Sequence, residues 1–393
     1  MSAATDRRTS QSRGKALIGN LLVMLVSFGI ALILCEIGAR FFLNTANYLS
    51  VSTVPDPVLG ITIPPGTAGF DQWGFRNPSV PERADVVAVG DSHTFGNTAR
   101  MEDAWPSVVA RETGLTVYNL GLGGYGPNQY YRLMMDRGLA LHPTWVLCGL
   151  YMGDDFENAF SMTYGLEKWA YLREGSFAGV DANIWGTSEA PSFNKRLRNW
   201  LSRNSLIYQI LVHGPLLAKA KENVEFAEAQ QGKDPVTTAL VVENKNIREA
   251  FRPAGMVTRL DQNSAPVREG MRITFRLLLD MKNTCAEKGC RFAVVIIPTK
   301  ETVFAGDLEG KSQIHLHESL DKVIANERVA RKKLTDFLDT SAIPYVDALA
   351  PLRNQVGNEL YARTTNDMHP GRNGYKVIGD AVAMFLKQQK QKP

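Results

Sequence analysis

The chain has 393 residues, 44% hydrophobic and 21% charged, with a formal net charge of +4. That is enough chain for one large domain or two modest ones, each able to bury a core. Residues 1–40 hold five basic and two acidic side chains, so the rest is near neutral, and no basic stripe interleaved with aromatics argues for a nucleic-acid partner.

Ala16–Cys35 reads ALIGNLLVMLVSFGIALILC, without a charge. About 20 residues at 1.5 Å rise cross a bilayer core. Arg7, Arg8, Arg13 and Lys15 precede it, so the positive-inside rule makes residues 1–15 a cytoplasmic tail and 16–36 a single-pass anchor in an inner membrane. Everything after Glu36 is then periplasmic or otherwise extracytoplasmic. A cleaved signal peptide fits less well, because its apolar region usually spans about 7–15 residues and this one continues into LCEIGARFFL. Bulky Leu34 argues against a lipid attached at Cys35.

Residues 45–83 read as an extended linker with short strands, since Pro55, Pro57, Pro64, Pro65, Pro78 and Pro81 exclude a long helix. From there to residue 390 one domain is expected. Continuous apolar runs at 86–90, 115–121, 145–152, 291–298 and 343–349 suit strands buried on both faces. Helical stretches lie between or after them: Ala104–Glu112, Asn128–Gly138, Glu269–Lys288, Asn326–Leu338 and Asn373–Gln388. The alternation predicts an α/β fold, a doubly wound parallel five-stranded sheet. It breaks between about 156 and 266, a partly helical insertion after strand three.

Cys285 and Cys290 either pair in an oxidising compartment or stand as separate thiols at a helix end and a strand start. No Cys/His cluster has metal-ligand spacing, so neither metal nor cofactor is expected. Lys300, in IIPTKETVF, reads as a solvated loop lysine, with contact to an anionic substrate as the alternative.

Four segments carry chemistry. VVAVGDSHTFG (86–96) puts Ser92 in the turn after a strand, facing the crevice outside the strand ends. Alone, Asp91-Ser92 is equally a helix cap. NLGLGGYGPNQ (119–129) is a glycine-rich loop that lets backbone approach a ligand, without the lysine of a phosphate loop. GLYMGDDFEN (149–158) sets Asp154 and Asp155 at a strand end. TTNDMHPGRNGYKVIGDAV (364–382) places Asp367 two residues before His369, close enough to orient its ring. Together they supply the inventory for nucleophilic acyl transfer.

These blocks resemble the SGNH (GDSL-like) hydrolase superfamily, over about 84–155 and 285–385 and more loosely at DQWGFRNP (71–78), as in its membrane-anchored bacterial members. The resemblance implies a flavodoxin-like sheet, Ser92 as nucleophile, His369 as base and Asp367 as its orienting acid. It also implies an oxyanion hole from the N–H groups of Ser92 and Gly124 and the side chain at position 154. Two positions depart from the pattern. The third block usually reads Gly-Asn-Asp, and here Asp154 stands for Asn; an ionised Asp cannot donate a hydrogen bond. Either burial keeps Asp154 protonated, or Asn158 or Asn128 substitutes, or activity is reduced. The commoner acid position, three residues before the histidine, is Asn366, so the shorter Asp367-to-His369 pairing is expected instead.

The resemblance implies an esterase or O-acyltransferase acting on an acyl ester, such as an acetyl ester of an envelope or exported glycan or lipid, with the membrane as its other partner. The competing reading is a catalytically impaired envelope protein that uses the same fold to bind glycan or another protein.

Overall fold

The computed structural model describes residues 2–175, 177, 193–213, 240–243, 248–251, 253–308, 316–361 and 367–390. Helix α1 (Ser2–Phe42) opens the chain and extends past the expected 16–36 at both ends. Its Ile18–Phe42 portion is long and apolar enough to cross a membrane, and its most apolar window is not buried against the rest of the protein.

A small hairpin follows, β1 (Val54–Asp56) and β2 (Gly60–Thr62), turned by the Asp56 carboxylate accepting the amides of Val58 and Leu59. Then come β3 (Val86–Gly90), β4 (Val117–Asn119) and β5 (Trp145–Tyr151). A second hairpin, β6 (Leu240–Glu243) with β7 (Arg248–Phe251), belongs to the insertion. β8 (Arg291–Ile297) and β9 (Tyr345–Asp347) complete the main sheet. Its order is β4-β3-β5-β8-β9, every pair parallel. The doubly wound five-stranded sheet read from the apolar runs is therefore present, with the second and fifth runs reduced to three-residue edge strands.

The remaining helices used below are α2 (Ser92–Phe95), α3 (Trp105–Thr113), α4 (Pro127–Leu133), α5 (Asp155–Gly165), α6 (Phe193–Asn204) and α7 (Leu206–His213). They continue with α8 (Pro253–Leu260), α9 (Ala265–Glu287), α10 (Leu316–Thr340) and α11 (Arg372–Lys390). Alternate strand residues feed two cores. Val87, Val89 and Cys148 pack with Leu133 of α4 and Leu278 of α9. Val86, Ala88 and Leu147 pack with Val109 of α3 and Val382 of α11. That double burial is why the runs are apolar at every position. Gly379 lets α11 cross α3 closely, since a Cβ there would lie 2.5 Å from Val108 Cβ.

Three details differ from the sequence reading. The insertion starts later than 156, because α5 is a core helix: a Cβ at Gly270 would sit 1.9 Å from the Phe156 carbonyl oxygen, so α9 lies directly against it. The stretch 45–83 is more than a tether, for Asp71, Phe75, Arg76 and Asn77 are buried in the domain. Lys300 is not solvated. It is 2% exposed, pairs with Glu249 at 2.5 Å, donates to the Ala250 carbonyl and lies beneath the rings of Phe251 and Tyr361. Cys285 and Cys290 are separate buried thiols.

Candidate active site

The sheet order reverses at β3, which has β4 on one side and β5 on the other. Such a switch point opens a crevice at the carboxyl ends of the strands. Ser92 stands two residues past the end of β3. Asp91 caps its short helical turn, accepting the His93 amide at 2.9 Å. Two strand-end glycines let that turn settle on the sheet edge: a Cβ at Gly90 or Gly149 would lie 2.0 or 2.3 Å from Thr94 Oγ1.

The turn is also clamped from outside. Arg76, buried, donates to the carbonyls of Gly96 (2.9 Å), Phe95, Ala99 and Ala46. Burial pushes its pKa down to about 10, which still leaves it cationic at neutral pH. Asn77 and Asn119 exchange bonds, Asn77 Nδ2 to the Asn119 carbonyl and Asn119 N–H to Asn77 Oδ1, each 2.9 Å. Asn119 Nδ2 in turn donates to the Thr94 carbonyl. The segment 71–78 thus helps fix the turn that carries Ser92.

The imidazole beside Ser92 arrives from the far end of the chain. His369 Nε2 lies 2.7 Å from Ser92 Oγ, and its Nδ1 lies 2.5 Å from Asp367 Oδ1. Asp367 Oδ1 also accepts the His369 amide at 2.9 Å. Burial would raise the Asp367 pKa, but the hydrogen bonds and charge of His369 outweigh it and hold the carboxyl below its ordinary range. The loop is pinned by the Thr98 hydroxyl, 2.7 Å from the Pro370 carbonyl, and by Gly371 N–H on the Leu360 carbonyl. Thr98 holds φ +66°, a left-handed conformation costly for a β-branched residue. Asn366 lies outside the described residues.

His93, next to Ser92, is not singled out by the sequence. Its ring stacks on Tyr151 (3.8 Å between centroids), lies 4.6 Å from the His369 ring, and sets Nδ1 3.1 Å from Asp91 Oδ2. Burial lowers its pKa despite Asp91, so it meets His369 as a neutral ring. Arg76 was equally invisible, because a guanidinium that binds carbonyls has no local signature.

The glycine-rich loop reaches Ser92 at Gly123, where a Cβ would lie 3.6 Å from Ser92 Cβ and 3.9 Å from Asn97 Nδ2. Gly124 follows at φ +82°, so only glycine suits that turn. Of the two alternative donors, Asn128 is fully buried and donates to Thr163 Oγ1, while Asn158 points its amide at the Tyr125 carbonyl.

Asp91, Asp154 and Asp155 bring carboxylate oxygens within 4.8 Å of one another. Asp91 is bonded to His93, and Asp155 to Tyr130 Oη (2.6 Å) and the Tyr151 amide (2.8 Å). Two of the three are thus already committed within the protein, which suits a shared proton better than a cation. Asp154 Oδ1 is sealed from solvent without a hydrogen bond, and Oδ2 lies 3.8 Å from Arg259 of α8, which binds Glu157 more closely at 2.8 Å. Burial first, then Asp91, push the Asp154 pKa from 3.8 up to about 7, against the pull of Arg259.

No protein-family profile and no curated protein matches the sequence. Solved structures with a similar chain path include an extracellular lipase from Streptomyces rimosus, 11% identical, covering 77% of this chain and 99% of that one at TM-score 0.39. A GDSL-like lipase from Bacteroides thetaiotaomicron is 10% identical and covers 78% and 89% at TM-score 0.35. A lipolytic G-D-S-L protein from Veillonella parvula is 11% identical and covers 77% and 98% at TM-score 0.33.

Proposed function

We propose that this chain is a membrane-anchored serine esterase or O-acyltransferase of the SGNH type. Its substrate would be an acyl ester of an envelope or exported glycan or lipid, and its intermediate an acyl-serine. One observation carries the reading: Ser92 Oγ, His369 and Asp367 form an unbroken hydrogen-bonded line, 2.7 Å and then 2.5 Å.

In this mechanism neutral His369 takes the Ser92 proton through Nε2 as Oγ attacks the ester carbonyl. Asp367 fixes the tautomer by accepting from Nδ1 and stabilises the imidazolium. The oxyanion is met by the Ser92 N–H and the turn at Gly123 and Gly124, with Gly124 the second donor. Protonated Asp154 adds an O–H in place of the usual amide; a carboxyl kept neutral by its surroundings can donate. The imidazolium returns its proton to the departing alkoxide. Water, or a sugar hydroxyl, then attacks the acyl-serine with His369 again as base.

Helix α1, with the basic cluster at Arg7, Arg8, Arg13 and Lys15, supports a single pass through a bacterial inner membrane with the catalytic domain outside. The test is labelling with a fluorophosphonate together with release of acetate from an aryl acetate. Both are expected in wild type and absent in Ser92→Ala. An unlabelled wild-type serine would favour the binding-protein reading, which the carboxylate at position 154 supports. Adding a glycan acceptor separates the two enzymatic outcomes by whether acyl groups appear on sugar or in water.

A further inference from the structure

The insertion helices α6 and α7 are built onto the last turns of the apolar helix. Glu36 of α1 accepts from Ser205 Oγ and from the amides of Leu206 and Ile207, each 3.0 Å, and so caps α7. Arg40 donates to the Asn204 carbonyl at 2.7 Å. Just beyond α1, Ser50 N–H bonds the Ser202 carbonyl and Gln209 Nε2 bonds Ser50 Oγ. The corner between α6 and α7 is therefore fixed at the level of Glu36 and Arg40, where the apolar run ends.

Among the described residues that corner presents an exposed apolar face. Phe193 (77% exposed), Leu197 and Trp200 (59%) follow i, i+4, i+7 spacing along one side of α6. Leu211 and Val212 of α7 and Phe41 and Phe42 of α1 are exposed as well. Around the stripe, α6 carries Lys195, Arg196, Arg198 and Arg203 and no acidic residue. An exposed apolar stripe with a purely basic flank is the composition of a helix lying in a membrane interface, apolar side among the acyl chains and cations among anionic headgroups.

We propose that α6 and α7 form a membrane-surface foot that lies on a bilayer containing anionic phospholipid, beside the point where α1 leaves it. This rests on α1 being the membrane anchor. The foot would hold the domain at a set height and orientation, instead of leaving it to swing on a single helix. Charge complementarity and continuity with the anchor select lipid over a second copy of the chain, which would bring four like charges of α6 against four.

Full-length protein in proteoliposomes of phosphatidylcholine, with or without phosphatidylglycerol and with brominated acyl chains, tests it. The fluorescence of Trp200 is isolated as the difference between wild type and Trp200→Phe, which keeps the other five tryptophans. With phosphatidylglycerol present the difference emission is expected to be blue-shifted and lost to bromine, and Arg198→Glu with Arg203→Glu should restore it. Emission quenched by aqueous iodide but not by bromolipid overturns the proposal. Emission shielded from both does so too, since protein then covers the face. Alkaline carbonate extraction, scored in parallel, separates the failures. A chain retained in the bilayer with Trp200 unquenched defeats the foot alone, and a chain that carbonate removes defeats the anchor and the foot together.

Discussion

Past the end of β8, Lys300 meets Glu249 and Arg331 meets both Glu327 and Asp347. Glu327, fully buried, also accepts from the hydroxyls of Thr299 and Thr302. Past the ends of β3 and β5, three carboxylates crowd together and Arg259 reaches only Asp154, loosely. The two clusters share one rim of one sheet, yet in one each of the three carboxylates Glu249, Glu327 and Asp347 touches a cation, while in the other only Asp154 has one, at 3.8 Å. A matched buried cluster holds structure, and losing one partner strands the other. An unmatched one moves pKa values toward neutrality, where protons can be exchanged with a reaction.

That contrast can be broken in graded steps. In the proposed mechanism Asp367 is the rim carboxylate whose partner becomes cationic during turnover. Asp367→Asn should lower kcat by about 10⁴-fold with little change in KM, as in a serine protease with the equivalent change; steady-state aryl-ester kinetics decide it. A drop of only a few-fold would mean that Asp367 is not the orienting acid. Lys300→Met should cost roughly 3–5 kcal/mol by leaving Glu249 without its cation, read as a lowered denaturant midpoint. Ester kinetics of the surviving folded protein should stay unchanged. A selective loss of kcat would move Lys300 into the catalytic cluster.

Asp154→Asn should have the smallest effect, with little change in activity at acid pH and a growing one above neutrality. Wild-type activity is expected to decline as pH rises through about 7, where Asp154 loses its proton. The amide keeps its donor, so the variant's profile should stay level there, with a gap of up to about 10²-fold at alkaline pH. Stability provides a second reading. Because the folded carboxyl holds its proton more tightly than the unfolded one, wild type loses stability relative to the variant as pH rises from 3.8 to about 7. The loss is complete above that. An Asn variant equal to wild type at both pH 4 and pH 8 would show that Asp154 is not proton-loaded.

The candidate groups were legible because each sits in a short local pattern: Ser92 after VVAVG, Asp367 and His369 before the last helix. The strand runs were legible because double burial makes every position apolar. What depended on distant partners was not. Lys300 finds its anion in the insertion, at Glu249, so nothing near it in sequence forecast burial. Arg76 serves carbonyls of the nucleophile turn, and carbonyls are the same in every residue. α5 was assigned to the insertion because its core role depends on Gly270, over a hundred residues on, letting another helix touch it.

The hydroxyl and the imidazole that meet at 2.7 Å are 277 positions apart. During synthesis from the amino end, Ser92 exists for most of the chain's production as an ordinary alcohol. It gains a proton acceptor only when α11 docks on α3 and brings the loop before it into place. In the proposed mechanism the protein is thus inert until it is whole, and a chain truncated ahead of His369 would lack both its base and the helix that fills one of the two cores.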